Sequence, residues 1–382
     1  MLTNLTPLVT KVVSKYHQDS LKNTLVIACQ HLLFDAYLLF LALESLGLKK
    51  SNVLLMGKCY SSNLDVINKM KLHGYFVYES LEEFDSHRPY DEQFQTDVLS
   101  FVDNVLMTYD LSSYDKIVIL DDGGRLISAF STKNLSFDNF LGVEQTTSGF
   151  AELSKNQLKF KVVNVARSKT KLEIESIFIA RIILEQLNSY LAKLNYQPKN
   201  WMILGHGYIG RALKTKLQES NIDPVFFDLN QELSIIKQDD FEIYVEKSDV
   251  ILGCSGSVSL HQRYHSLIKK QLILASASSS DREFDAVHFR KKLPRVDNCH
   301  ENMVINNVHL LNCGFPINFF GGVQSMPLHE RQLTMSLIIS AILNLHVINV
   351  NDQFLIIEES EEEYILNNFF NYYTSYLPLK NQ

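Results

Sequence analysis

Short apolar runs alternate with amphipathic segments along most of the chain. Residues 25 to 29 predict a strand, and a helix follows over about 34 to 46, where Gly47 stops it. Residues 52 to 56 predict the next strand, 64 to 72 a helix, 75 to 78 a strand, about 93 to 108 a helix and 116 to 120 another strand. Residues 135 to 158 read as a polar loop and 160 to 165 as a strand. Residues 171 to 194 form a long helical segment, with Ile174, Ile177, Phe178, Ile182, Leu184 and Leu187 near helical spacing. Residues 201 to 204, 225 to 227, 249 to 252 and 272 to 275 predict further strands, and a helix over about 328 to 345 crosses back toward the first half. Such alternation implies an α/β protein with parallel sheets. Two Rossmann-like domains are expected, joined by long hinge helices: 1–190 completed by 326–382, and 191–325.

One stretch carries specific chemistry. The apolar run at 201 to 204 meets Gly205, Gly207 and Gly210 and then an amphipathic segment, which reads as strand, phosphate-binding turn and helix. Gly205 permits the tight turn, Gly207 lets a pyrophosphate approach the backbone, and Gly210 lets helix pack on strand. A second apolar run ends in Asp228, close to where a carboxylate would hold an adenosine ribose. Leu229, Asn230 and Gln231 carry no positive charge for a 2′-phosphate, so NAD is expected rather than NADP. The cofactor candidates here are Gly205, His206, Gly207, Tyr208, Ile209, Gly210 and Asp228, with Cys254 and Ser255 in the loop after the third run and Asn312 beyond it. The bland alternative is a tight turn that merely packs a helix on a sheet, with His206 exposed.

Composition narrows the class. A 46% hydrophobic content over 382 residues supplies real cores, and 36 basic against 43 acidic residues leaves no cationic field for nucleic acid. Five scattered cysteines without a close pair suit reduced thiols in a cytoplasmic protein. No basic-then-apolar leader is read, and the most apolar stretch, 333 to 350, contains Ser, Asn and His, so a buried helix is expected rather than a membrane span.

Other features have two readings. Asp121, Asp122, Gly123 and Gly124 place carboxylates at the C-terminal end of a strand, where open α/β sheets bind ligands, or form an ordinary turn. His261 and His265 have a metal-ligand spacing without a third ligand and read as surface histidines. Arg167 and Lys169 read as solvated charges, and the acidic run 358 to 363 as a solvated helix start. The aromatic tail from Phe369 to Tyr376 suits either core or an oligomer contact.

The order of motifs then becomes specific. DDGG, QTTSG, NVARSKTKLEIESIFIAR, GHGYIG with Asp228, and SSSDREFD together resemble the S-adenosylhomocysteine hydrolases in sequence and spacing over most of the chain. The resemblance implies a homo-oligomer with tightly held NAD that oxidises a ribose 3′-hydroxyl before elimination and hydration. It implies Lys171 beside that hydroxyl, Asp122 facing the ribose as a candidate base, His31 in the substrate cleft, and Thr146 and Thr147 on the nicotinamide side. Glu175 preserves one charge of the family's lysine segment. Other positions depart: Gln145 replaces a glutamate, Ala166 an asparagine, Ala180 a cysteine and Ser279 a histidine, and the second histidine expected after Asn312 is absent. The family's C-terminal lysine has only Lys380 as a weak counterpart. Serine does not titrate near neutrality, and each lost acid or base costs about 10²- to 10⁴-fold. The expectation is therefore an NAD-binding relative acting on a different small, hydroxyl-bearing, nucleoside-like molecule. A non-catalytic NAD-holding homologue and a weak authentic hydrolase are the alternatives.

Overall fold

The computed structural model describes residues 2–80, 83–268, 270–323 and 326–381. Its strands, in chain order, are β1 (Thr24–Cys29), β2 (Val53–Met56), β3 (Phe76–Val77), β4 (Lys116–Asp121), β5 (Phe140–Glu144), β6 (Val162–Asn164), β7 (Trp201–Leu204), β8 (Val225–Phe227), β9 (Val250–Gly253), β10 (Leu272–Ser276), β11 (Met303–Ile305), β12 (Val308–Leu310), β13 (Val347–Asn349) and β14 (Phe354–Ile357). The chain divides into two compact units. Unit 1 comprises Met1–Leu81, Gln95–Glu175 and Pro327–Gln382; unit 2 comprises Glu82–Phe94 and Ser176–Met326.

Unit 1 is an eight-stranded sheet in the order β13-β14-β6-β5-β4-β1-β2-β3. All neighbours are parallel except β13 and β14. The β1, β2 and β4 positions are almost wholly buried, as strands covered on both faces require. Local signals set the helices. Asn63 Oδ1 accepts from the backbone N–H of Asp65 and Val66 at 3.1 and 3.2 Å to start helix Leu64–His73, and Gly74, at φ +107°, ends it. Helix Leu328–Leu343 is buried almost all round, polar Gln332, Thr334 and Ser336 included, and it ends where Asn344 turns left-handed. No helix among the described residues is long and apolar enough to cross a membrane.

Two expectations change here, and a third, left open, is partly decided. Residues 135 to 158 are not a loop, because Phe140–Glu144 forms the buried β5 and Thr147–Leu153 forms a helix capped by Thr146 Oγ1 on the Gly149 N–H at 3.0 Å. The acidic run is not all solvated, since Glu361 is buried and accepts from Ser340 Oγ at 2.8 Å and Tyr16 OH at 3.2 Å. Phe369 and Phe370 belong to the core, while Tyr372 is exposed.

Unit 2 is a six-stranded sheet, β11-β12-β10-β9-β7-β8, parallel except for the β11–β12 hairpin. Helix Ser176–Lys193 packs on it through Ile183, Leu187 and Leu191, which share a core with Trp201, Ile203, Leu213 and Leu252. The long helical segment expected from Lys171 is thus split: Lys171–Glu175 is a π-helical turn in unit 1, and the regular helix starts at Ser176. His265 is no surface histidine; it is buried and stacked on Phe289 at 3.8 Å, and burial together with the nearby His288 lowers it to about 4. Among the described residues no group of His, Cys, Asp and Glu could hold a metal ion.

Candidate functional site

In each unit the strand order reverses beside the first strand of that sheet. In unit 1 the reversal lies between β1 and β4; in unit 2 it lies between β7 and β9. Ligands of open α/β sheets bind outside the strand C-termini at such points. The sequence candidates cluster at both.

At the unit 1 reversal, His31 follows β1 and Asp122 follows β4. Asp122 Oδ2 accepts from Gln145 Nε2 at 2.6 Å and lies 3.3 Å from His31 Nε2, while Oδ1 is ion-paired with Lys58, at the end of β2. The opposite ring nitrogen of His31 lies 2.5 Å from Ser61 Oγ, so Nε2 carries the proton toward the carboxylate and Nδ1 accepts from the hydroxyl. Burial opposes ionisation of Asp122, but the Lys58 charge and the hydrogen bonds from His31 and Lys58 hold it well below the usual carboxylate range. Burial lowers His31 despite the Asp122 charge. A carboxylate so deeply stabilised is a poor proton acceptor, which argues against the base role implied for Asp122.

A second group adjoins the first. Lys171 is ion-paired with Glu175 Oε2, and Glu175 Oε1 accepts from Thr334 Oγ1 at 2.5 Å and from Arg331 at 3.4 Å. Arg331 also donates to Asp35 Oδ2 at 2.6 Å. Burial opposes the Glu175 charge, but Lys171 and Arg331 depress it below its ordinary value. All four catalytic candidates, Lys171, Asp122, Glu175 and His31, are therefore in unit 1, in a region where three cations and three carboxylates balance.

Behind Asp122 lie two carboxyls of the opposite character. Asp121 and Glu144 face each other across β4 and β5, and burial pushes Asp121 up to about 6. Burial and the Asp121 charge push Glu144 well above the carboxylate range. Glu144 Oε1 accepts from Thr146 N at 2.7 Å, Thr146 Oγ1 at 2.6 Å and Gly123 N at 3.2 Å, tying the DDGG turn to the QTT segment. Thr146 thus serves as a helix cap, and Thr147 is exposed.

At the unit 2 reversal the turn is built for close approach. Gly205 has φ +96°, and a Cβ there would meet the backbone of Ser255 at 2.8 Å. A Cβ on Gly210 would collide with Gly205 O and sit 3.1 Å from Cys254 Sγ, whereas one on Gly207 would meet nothing within 4 Å. Gly207 caps helix Tyr208–Glu219 with no side-chain bond, so the first N–H groups of that helix remain for an anion. Asp228 Oδ2 accepts from the His206 N–H at 2.7 Å and Oδ1 from Asn230 N at 2.9 Å. The His206 ring is not exposed but half-buried, stacked on Phe226 at 4.0 Å, and burial with Lys214 and Arg211 nearby lowers it. Tyr208 is exposed beside Arg211, and Ile209 packs against the unit 2 core.

Cys254 donates to Gly205 O at 3.0 Å, and burial raises its thiol well above the usual range. Buried Glu283 accepts from Ser255 N at 2.9 Å, Gly256 N at 3.2 Å and Ser259 Oγ at 2.7 Å, shaping the loop after β9. Asn312, at φ +50°, is fully buried, with its amide on Pro316 O at 3.0 Å and its carbonyl 3.2 Å from His300 Nδ1. Its polar atoms are already satisfied within the protein. The Lys380 side chain lies outside the described residues.

Over 345 residues the chain is 31% identical to uncharacterized protein Rv0104 of Mycobacterium tuberculosis, covering 88% of this chain and 67% of that protein. The chain belongs to that protein's family. It spans about two thirds of the length of that relative. A weaker similarity, 24% over 196 residues, links it to an adenosylhomocysteinase of Sulfolobus acidocaldarius, covering 46% of this chain and 45% of that enzyme. Cofactor (NAD⁺)-bound 3-phosphoglycerate dehydrogenase of Entamoeba histolytica aligns at TM-score 0.41 and 12% identity, over 84% of this chain and 96% of that one. No family model matches the chain.

Lys58, Arg331 and Asp35 were not among the sequence candidates. Lys58 stands one residue, Gly57, beyond an apolar run that becomes a parallel strand, so the strand-end rule would have found it. Asp35 opens a largely apolar helix and Arg331 lies in the polar first turn, LHERQ, of its own, and neither carries a local signal.

Proposed function

We propose that this member of the Rv0104 family binds NAD at the Gly205–Gly210 turn and uses it to oxidise a hydroxyl of a small, nucleoside-like substrate held by the unit 1 site. The observation that carries the reading is the pairing of an open Gly207 with an Asp228 carboxylate fixed by the His206 N–H. The free helix N-terminus suits a pyrophosphate, and Asp228 suits the ribose hydroxyls. The likeness to an adenosylhomocysteinase supports the same cofactor and a nucleoside-like substrate. Bound NAD would supply hydride acceptance. The chain's own contribution is to orient the hydroxyl and take its proton: Lys171, after passing one of its own protons to the ion-paired Glu175 carboxylate, accepts the hydroxyl proton as the hydride leaves, and Asp122 accepts a hydrogen bond from a neighbouring hydroxyl.

Hydrolysis of a thioether is disfavoured, because Ser279 and Gln145 stand where the resemblance calls for a titrating histidine and a carboxylate. A second reading, an NAD-holding protein without catalysis, draws support from the ion pairing of both Lys171 and Asp122. Homo-oligomerisation and a cytoplasmic location remain part of the proposal on the strength of the resemblance and the free thiols. The test is to denature the purified protein and identify any released nucleotide, then add NAD and adenosine to the apo form while following reduced-nicotinamide absorbance. Absorbance growth supports oxidation. Bound NAD with no reduction by adenosine or other nucleosides favours the second reading, and absence of NAD binding defeats both.

A further inference from the structure

We infer that Lys58 is the positioning residue of the unit 1 site, its ammonium pinning Asp122 as a permanent carboxylate acceptor and leaving His31 as a neutral Nε2–H donor to it. The part concerning substrate rests on the function proposed above; the electrostatic part does not. Lysine is seldom buried without a reason, and Lys58 and Asp122 are each only 4% exposed. As scaffolding, a buried ion pair is commonly no better than apolar packing of the same volume. This pair also sits at the strand C-termini beside the sheet reversal, where ligands bind, with Lys58 Nζ 3.7 Å from where a Cβ on Gly123 would stand.

The surroundings explain why a cation is needed. Asp121 from β4 and Glu144 from β5 are buried carboxyls next to Asp122, and Cys29 on β1 and Tyr60 beside Lys58 add no positive charge. Arg331, from helix Leu328–Leu343, acts on the same carboxylate but is paired to Asp35 and Glu175. Without Lys58, the charge of Asp122 would be balanced by a proton on His31. With Lys58, Asp122 accepts from Lys58, Gln145 and His31, and a carboxylate's roughly four acceptor positions leave one for a substrate hydroxyl.

Histidine-selective nuclear magnetic resonance of the full chain tests this without substrate or cofactor, the His31 signal being assigned through His31→Asn. We expect Lys58→Met to raise the proton affinity of His31 about tenfold or more, and Lys58→Arg to retain the wild-type titration. An unchanged His31 titration in folded Lys58→Met, or an arginine variant that behaves like the methionine one, overturns the assignment. If Lys58→Met does not fold, the double variant Lys58→Met/Asp122→Asn decides, because it leaves neither charge unpaired. His31 proton affinity at or below wild type is expected there, and a rise overturns the assignment. Loss of the Lys58 result leaves NAD binding untouched, and a chain that binds no NAD leaves the Lys58 result standing.

Discussion

The backbone N–H of His206 donates to the Asp228 carboxylate at 2.7 Å, tying the glycine turn after β7 to the end of β8. Asp228 is thereby oriented before any ribose arrives. Replacing Asp228 with Ala removes both this tie and the proposed ribose acceptor, so NAD affinity should fall at least tenfold, about 1.4 kcal/mol. Calorimetric titration with NAD checks it, and wild-type affinity in the variant would remove Asp228 from the site.

The two helix-side glycines should separate folding from binding. A Cβ on Gly210 collides with Gly205 O, so Gly210→Ala should cost about 1–3 kcal/mol and lower the thermal midpoint of unit 2. A side chain on Gly207 projects into open space, so Gly207→Val should melt near wild type yet exclude a pyrophosphate. Thermal melts with and without NAD distinguish them. Equal melting loss in both variants would contradict the difference.

Glu144 carries the pH prediction. Its folded carboxyl is raised above its unfolded value of about 4.3, so its contribution to stability is fully present below that value and is lost as pH rises toward the folded value. Glu144→Gln keeps an acceptor for Thr146 and Gly123 but cannot ionise. It should be close to wild type at pH 4 and more stable by roughly 1 kcal/mol or more at pH 8. Urea melts at the two pH values check it, and a variant less stable at both would show that Glu144 is ionised and needed so.

Arg290 should matter for the stability of unit 2. Fully buried, it is ion-paired with Asp281 at 2.5 Å and donates to Ser86 O at 2.7 Å and Cys313 O at 2.9 Å. Arg290→Met strands the Asp281 charge and frees the 86–88 backbone, a loss of about 3–5 kcal/mol. Faster proteolysis near residues 86–88 should accompany it. A variant as stable and as protease-resistant as wild type would mean that the clamp contributes little.

Much of the α/β order was legible because strands buried on both faces read as continuous apolar runs; β1, β4, β7 and β10 fall within a residue or so of their expected bounds. The loop expected over 135 to 158 concealed β5, whose five residues include Gly142 and Glu144 and look unlike a core strand. Gly142 is there because a Cβ would meet Val162 at 2.7 Å, a reason visible only in three dimensions. The helix expected to run to residue 345 ends at Leu343, because Asn344 adopts the left-handed conformation that Asn tolerates. Of the site, the turn and Asp228 were legible from spacing. Lys58 was within reach of the strand-end rule, whereas Arg331 was not, since burial of that cation depends on a partner as distant in sequence as Asp35.

The most direct test of NAD binding is calorimetric titration of the apo full chain with NAD and, in parallel, NADP. A one-site isotherm for NAD, at least tenfold weaker for NADP and lost in Gly207→Val, is the expected result. No binding of either nucleotide by folded wild-type protein would contradict the cofactor assignment, and a preference for NADP would contradict the reading of Asp228.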